Sequence, residues 1–384
     1  MVWRLTQICD TCSLGFASIS RCIRVRERKA LSLSLPPFFR ASAALLAVLL
    51  SCAGSGATQP ADTDPEKSLN RADALISQGK LDEAIAVLES VRKSQPQTSG
   101  LEAKLAKAYY QKRSFQQAIS HFKLAVEQKP DDMEVAQLLG LSLYSVGEVD
   151  EAIPLFEKIH SHIPAAQSDT LYLLGVCYIK TQQPDKARTA FAQMFSVAPD
   201  SAMAHLMLAK MMVRQKLEDR SVPEIQKALE LDPRLPMAHF LLGEIFLYQT
   251  NPQRALEEFK KELEINPTVW LVYWRLGDAY FRLEKYDEAE KVLKEALWLN
   301  DSFTGAYLLL GEVELKKSNL ELGVGFLERA LKLDPRNDYA HYSLARAYQQ
   351  MGRTEEANRH FEITRTLRAE KKTDEQRMFQ DITR

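Results

Sequence analysis

From Pro65 onward, small and large apolar residues return to the same places every 34 residues, with polar segments between them. With unit frames opened at residues 65, 99, 133, 168, 202, 236, 270, 304 and 338, Gln167 is left over between the third and fourth units. Position 8 is then Ala72, Ala106, Gly140, Gly175, Ala209, Gly243, Gly277, Gly311 and Ala345, small in every unit. Position 20 is alanine in seven units, with Ser221 in the fifth and Gly323 in the eighth. Position 32 is proline in seven of nine, the exceptions being Asp301 and Ala369. A fixed period of this length marks stacked supersecondary units, and it decides the architecture before any single element is assigned. The units run 65–98, 99–132, 133–166, 168–201, 202–235, 236–269, 270–303, 304–337 and 338–371, about four-fifths of the chain.

Each unit carries two apolar stretches at helical spacing. In the seventh these are Leu276, Tyr280 and Leu283, then Ala289, Val292, Leu293 and Ala296, separated by the polar Glu284-Lys285-Tyr286-Asp287. The pattern predicts two antiparallel helices that approach where the small residues at 8 and 20 face each other. Large residues at 7, 11 and 24 fill the space around that contact. Proline at 32 cannot continue the second helix, so it predicts the stop and the turn into the next unit. No unit can bury its apolar face alone; stacked neighbours supply the core. The fifth unit departs at Ser221 and the eighth at Glu314 (position 11) and Gly323, which predicts looser packing there. Residues 372–384 are strongly polar, with Met378, Phe379 and Ile382 as an apolar side, and read as an end cap.

The residues at 8, 20 and 32 resemble those of the tetratricopeptide repeat (TPR) family. The resemblance implies an all-α fold: a right-handed superhelical solenoid of nine TPR helix-turn-helix units with a C-terminal capping helix. It also implies that first helices line a concave groove, chiefly through positions 2, 5, 9, 12 and 13. On that frame the groove of units four to nine holds Tyr172, Met203, Leu206, Met237, Phe240, Leu271, Trp274, Leu308, Tyr339 and Tyr342. Such a face is more apolar than solvation requires, and Met and aromatic residues suit adaptable peptide-binding surfaces. The expected ligand is an apolar or amphipathic protein segment, extended or helical. The competing reading packs some of these side chains between adjacent first helices. Position 9 contains no asparagine in any unit, so the carboxylate clamp of chaperone-binding TPR domains is not expected.

Charge changes the picture at the N-terminus. Residues 1–52 carry seven Lys and Arg against two Asp and Glu, and four of the five cysteines: Cys9, Cys12, Cys22 and Cys52. The apolar run Ala41–Leu50 follows Arg40 directly. It is too short to span a bilayer, which takes about 20 residues, and it has the length and flanks of a signal-peptide h-region. Leu49-Leu50-Ser51-Cys52 resembles a bacterial lipobox, with Leu50 where a small residue is usual, and would make Cys52 the lipidated residue. The other processing route is cleavage after Ser55-Gly56-Ala57, which releases a soluble protein. Residues 53–64 read as a flexible linker. Cys9-Asp-Thr-Cys12 has redox or metal spacing but no second ligand pair, and reads as incidental.

Net charge of −1 gives no excess of base to neutralise phosphates, so nucleic acid is not an expected partner. The sequence has no phosphate-binding glycine loop and no nucleophile elbow. His205, His239 and His341 all fall at position 4, where a packing role is expected; His160-Ser-His162 has ligand-like spacing in an expected loop. Cys177 reads as a small buried hydrophobe. The expectations are therefore no catalysis, no metal and no cofactor. The function read from the sequence is a protein-protein interaction scaffold or adaptor of the bacterial cell envelope, anchored by lipid or periplasmic. The alternative is a soluble secreted or periplasmic TPR protein that self-associates.

Overall fold

A computed structural model describes residues 64–162 and 167–383, with the side chains of 167, 168, 375 and 378–383 excepted. The leader, Cys52 and the linker lie outside the described residues, as do the side chains of Met378, Phe379 and Ile382. Among the described residues there are eighteen α-helices and no strand. They pair as α1 Pro65–Ser77 with α2 Leu81–Ser94, α3 Leu101–Gln111 with α4 Phe115–Gln128, and α5 Met133–Val146 with α6 Val149–His162. The middle pairs are α7 Gln167–Lys180 with α8 Pro184–Met194, α9 Ala202–Arg214 with α10 Glu218–Leu231, and α11 Ala238–Tyr248 with α12 Pro252–Ile265. The last are α13 Trp270–Arg282 with α14 Tyr286–Leu299, α15 Thr304–Lys316 with α16 Leu320–Leu333, and α17 Asp338–Gln350 with α18 Thr354–Thr383.

Every helix packs on the next one in the chain, as a solenoid requires. First helices also touch the next unit's first helix in units one to three and six to nine. Among the described residues no two second helices pack to that extent. First helices are thus the crowded, concave side.

The turn inside each unit has one geometry. Position 15 is left-handed in all nine units, with φ between 56 and 90°: Gly79, Arg113, Gly147, Gln182, Lys216, Thr250, Glu284, Ser318 and Gly352. The next residue's N–H returns to the position 11 carbonyl in every unit, for example Asn251 to Phe246 at 2.8 Å and Gly352's successor Arg353 to Tyr348 at 2.8 Å. That bond closes the orphan end of the first helix in the manner of a Schellman motif.

The small residue at position 8 meets the large side chain at 24. A Cβ on Gly243 would lie 2.4 Å from the Phe259 ring, and one on Gly175 would lie 2.4 Å from Phe191. Phe122, Phe156, Phe191 and Phe259 are fully buried at position 24, each contributing roughly 2–3 kcal/mol of burial. In unit eight position 8 also meets the backbone at position 20. There a Cβ on Gly311 would stand 3.2 Å from the Gly323 carbonyl oxygen, and one on Gly323 would stand 3.1 Å from that of Gly311. The eighth unit is therefore packed more tightly than its sequence predicts, because two glycines let the backbones meet. Its Glu314 is 1% exposed, and the carboxylate accepts from Asn319 Nδ2 at 2.8 Å. In the fifth unit Ser221 is fully buried and its hydroxyl donates to the Glu218 carbonyl at 2.6 Å, so the substitution leaves no polar group unpaired.

The C-terminus differs from expectation in one respect. The cap is the continuation of α18, which runs 30 residues without a break. Ala369 stands where most units have proline, and no Pro or Gly occurs between Thr354 and Thr383, so nothing stops the helix.

Candidate protein-binding groove

The ten residues expected along the concave face all sit on first helices or at their N-terminal caps, at three depths. Leu206 and Phe240 are only 5% and 6% exposed and belong to a hydrophobic cluster that spans units five to seven. They are core residues with little surface to offer a ligand. Met203, Met237 and Leu271 are partly buried and pack on that same cluster. Trp274 packs on the cluster of units seven and eight, and Leu308 on that of units eight and nine. Tyr172 is partly buried, with the Arg214 guanidinium 6.0 Å from its ring. Tyr342 stands between Arg346 at 6.0 Å, Arg368 at 5.3 Å and the Phe361 ring at 6.2 Å. Tyr339 is the most open of the set, 49% exposed.

Two groove residues were not picked out by sequence. Tyr248, at position 13 of unit six, is 71% exposed on the last turn of α11. The signal was present, since position 13 belongs to the groove frame. Phe303 closes the gap left by Gly305 at position 2: a Cβ there would lie 2.6 Å from its ring. Phe303 also meets Trp270 in a tilted contact at 4.5 Å and Trp274 edge-on at 5.0 Å. It comes from the turn between units, which a first-helix frame does not sample.

Charges at position 9 are held by ion pairs and hydrogen bonds, some to the next unit and one within its own helix. Glu244 accepts from Arg275 at 2.5 Å, and the same guanidinium covers the Trp274 ring at 4.2 Å. Asp278 pairs with Arg282 at 2.9 Å, and Lys107 with Glu134 at 2.8 Å. Glu312 accepts from Ser343 Oγ. Burial, then the charge of Glu312, pushes the Tyr339 phenol above its ordinary value, so Tyr339 stays a neutral hydrogen-bonding group at physiological pH.

Most of the candidate chemical groups are occupied by structure, while His160 Nδ1 is buried without a hydrogen-bond partner among the described residues. His205 and His239 bond to Glu224 and Glu258 of their own units, Nδ1 to carboxylate oxygen at 2.6 Å. His160 and His162 lie in the last turn of α6, which extends further than the sequence predicts; His162 Nδ1 bonds to the Lys158 carbonyl at 2.8 Å. Cys177 is fully buried, and burial pushes its thiol up to about 11. Among the described residues no three His, Cys, Asp or Glu side chains gather as a metal site needs, and no helix is long and apolar enough to cross a membrane.

Profiles of the tetratricopeptide repeat match residues 75–141 and 143–211, then 219–269, 240–307 and 274–338, and finally 326–357. No curated protein matches the sequence. Among solved structures, MamA from Desulfovibrio magneticus RS-1 is similar at 21% identity, TM-score 0.43, over 44% of this chain and 97% of its own. YrrB, described as a TPR protein with an unusual peptide-binding site, is similar at 20% identity, TM-score 0.41, over 48% of this chain and 93% of its own. PilW, described as a type IV pilus biogenesis factor, is similar at 24% identity, TM-score 0.41, over 43% of this chain and 77% of its own.

Proposed function

The chain belongs to the tetratricopeptide repeat family, and from that premise we propose that it is a non-catalytic adaptor of the bacterial cell envelope. Its concave face, in units four to nine, holds an apolar or amphipathic segment of a partner protein. The observation that carries this reading is the pair of open aromatics on that face. Tyr248 is 71% exposed and Tyr339 is 49% exposed, while the side chains around them are packed and ion-paired. An aromatic ring left in water on a rigid scaffold gains most from a partner, because it loses little conformational freedom on binding. Met203, Met237 and Leu271 add flexible or branched apolar surface along the first helices of units five to seven, suited to an irregular ligand. The envelope location rests on the leader: a basic n-region, the apolar run Ala41–Leu50 and the lipobox-like Leu49–Cys52.

A crosslinking pull-down from native envelopes tests it, using residues 58–384 beside a Tyr248→Ser, Tyr339→Ser double variant. These two side chains can be removed with little loss of core, so the variant keeps its helical signal. We expect a partner captured by the wild type to be lost or weakened at least tenfold, about 1.4 kcal/mol, in the folded variant. Equal capture by both would move the binding surface off the concave face.

A further inference from the structure

Positions 4 and 23 of a unit face each other across its two helices, and four units place a paired polar contact there. In units two, five and six it is imidazole against carboxylate: His121 with Glu102, His205 with Glu224, His239 with Glu258, each at 2.6 Å. In unit nine both groups are imidazoles. His341 Nδ1 and His360 Nδ1 stand 2.8 Å apart, with ring centroids 5.1 Å apart at 34°.

The hydrogen positions are fixed by the remaining partner. His341 is 8% exposed and its Nε2 lies 3.2 Å from the Pro335 carbonyl oxygen, an acceptor only, so Nε2 carries the hydrogen. The neutral His341 ring then offers Nδ1 as an acceptor, and His360 Nδ1–H donates to it. One added proton, on His360 Nε2, keeps that bond. A second must go on His341 Nδ1, where it meets the His360 Nδ1–H head on. In units two, five and six an added proton would instead sit on an imidazole already bonded to a carboxylate, making an ion pair rather than a clash.

We propose that the His341–His360 pair makes the ninth unit an acid-released end of the solenoid. The groups facing the pair do little to offset the charge. Tyr348 stacks on the His360 ring at 5.6 Å, and its hydroxyl donates to Glu328 at 2.9 Å. Arg353 covers the other side of that relay, 4.5 Å from the Tyr348 ring. Burial, then His341, then Arg359 lower the affinity of His360 for a proton, and only Glu328 opposes them. A group held neutral in the fold takes up more protons when unfolded. Stability at this site is therefore complete above the ordinary imidazole value of about 6.5 and falls as pH drops through it. Among the described residues the ninth unit packs on one neighbouring unit only, so local opening there costs less than in the middle. Opening would carry away Tyr339 and Tyr342 of α17, a consequence that rests on the proposed groove binding.

Hydrogen exchange read by mass spectrometry on the full chain, at pH 7.5 and 5.5 with intrinsic rates corrected, tests the proposal without any partner present. Amides of residues 338–365 should exchange about tenfold faster at pH 5.5 after correction, while those of units five and six do not. His360→Glu restores the imidazole–carboxylate pair of units five and six and should abolish the acid response; His360→Gln serves if the first variant does not fold. An acid response spread equally over all units, none at all, or one that survives in either folded variant would overturn it.

Discussion

At position 15 the residue and its backbone are in conflict. The turn needs φ near +60 to +90° in every unit, yet only Gly79, Gly147 and Gly352 are glycines. A side chain in the left-handed region costs about 1–2 kcal/mol, and a β-branched one is least suited to it. Thr250 is that case, with φ at 56° on an exposed turn where its hydroxyl reaches only the Gln249 carbonyl at 2.7 Å. Glycine there relieves the strain but loses more chain entropy on folding. Thr250→Gly should therefore stabilise the protein by a net of about 0.5–1 kcal/mol, read as a higher urea midpoint at an unchanged slope. A lower midpoint would mean that the threonine's local bond outweighs the strain. Six of the nine left-handed residues carry ordinary side chains, which is why the sequence offers no sign of this turn, although the period places it.

Helix ends show the same mixture of legible and hidden causes. Proline at position 32 marks where second helices stop, but Asp301 does not lengthen α14, which ends at Leu299, whereas Ala369 lets α18 run on to Thr383. The two cases differ in their neighbours: α14 is followed by α15, which begins at Thr304, whereas among the described residues no helix follows α18. A less visible device starts α11. Its N-cap residue, Met237, is left-handed at φ 70° and supplies no side-chain cap. Glu262, fully buried at a position that is alanine in units two, five, seven and eight, does so from α12. Its carboxylate accepts the N–H of Met237 at 2.8 Å and of Phe240 at 3.3 Å, and Asn266 Nδ2 at 2.7 Å. Glu262→Ala strips one buried and two part-buried donors of their acceptor and should cost about 2–3 kcal/mol, with Glu262→Gln, which keeps one acceptor oxygen, costing less. Thermal unfolding decides between them; an alanine variant as stable as the wild type would show that water replaces the carboxylate. The residue stands out in the repeat as a carboxylate among alanines, but the period alone assigns it no partner.

Across the whole molecule, a 34-residue period reveals which face a side chain occupies and conceals how deep it lies. Position 5 is the example: Leu206 and Phe240 sink into the cluster of units five to seven, on which Met203, Met237 and Leu271 also pack, while Trp274 and Leu308 remain partly open. Depth depends on the neighbours' volumes, which no single position records. The face as a whole needs a place to act, and on the function proposed above that place depends on the leader. Cys52 precedes Pro65, the first residue of α1, by 13 positions, and Asp64 caps that helix by accepting the Glu66 N–H at 3.1 Å. The twelve residues between Cys52 and Pro65 reach at most about 40 Å when extended, enough for the solenoid to stand clear of a bilayer that holds a lipid on Cys52. Cys52→Ala should then move the protein from the membrane fraction to the soluble fraction, with an unchanged helical circular dichroism spectrum. Membrane fractionation identical in wild type and variant would remove the anchor. A soluble wild type whose mature N-terminus is Thr58 would put cleavage after Ala57 in its place. In that case the concave face would meet its partner in free solution, without the gain in effective concentration that a shared membrane provides.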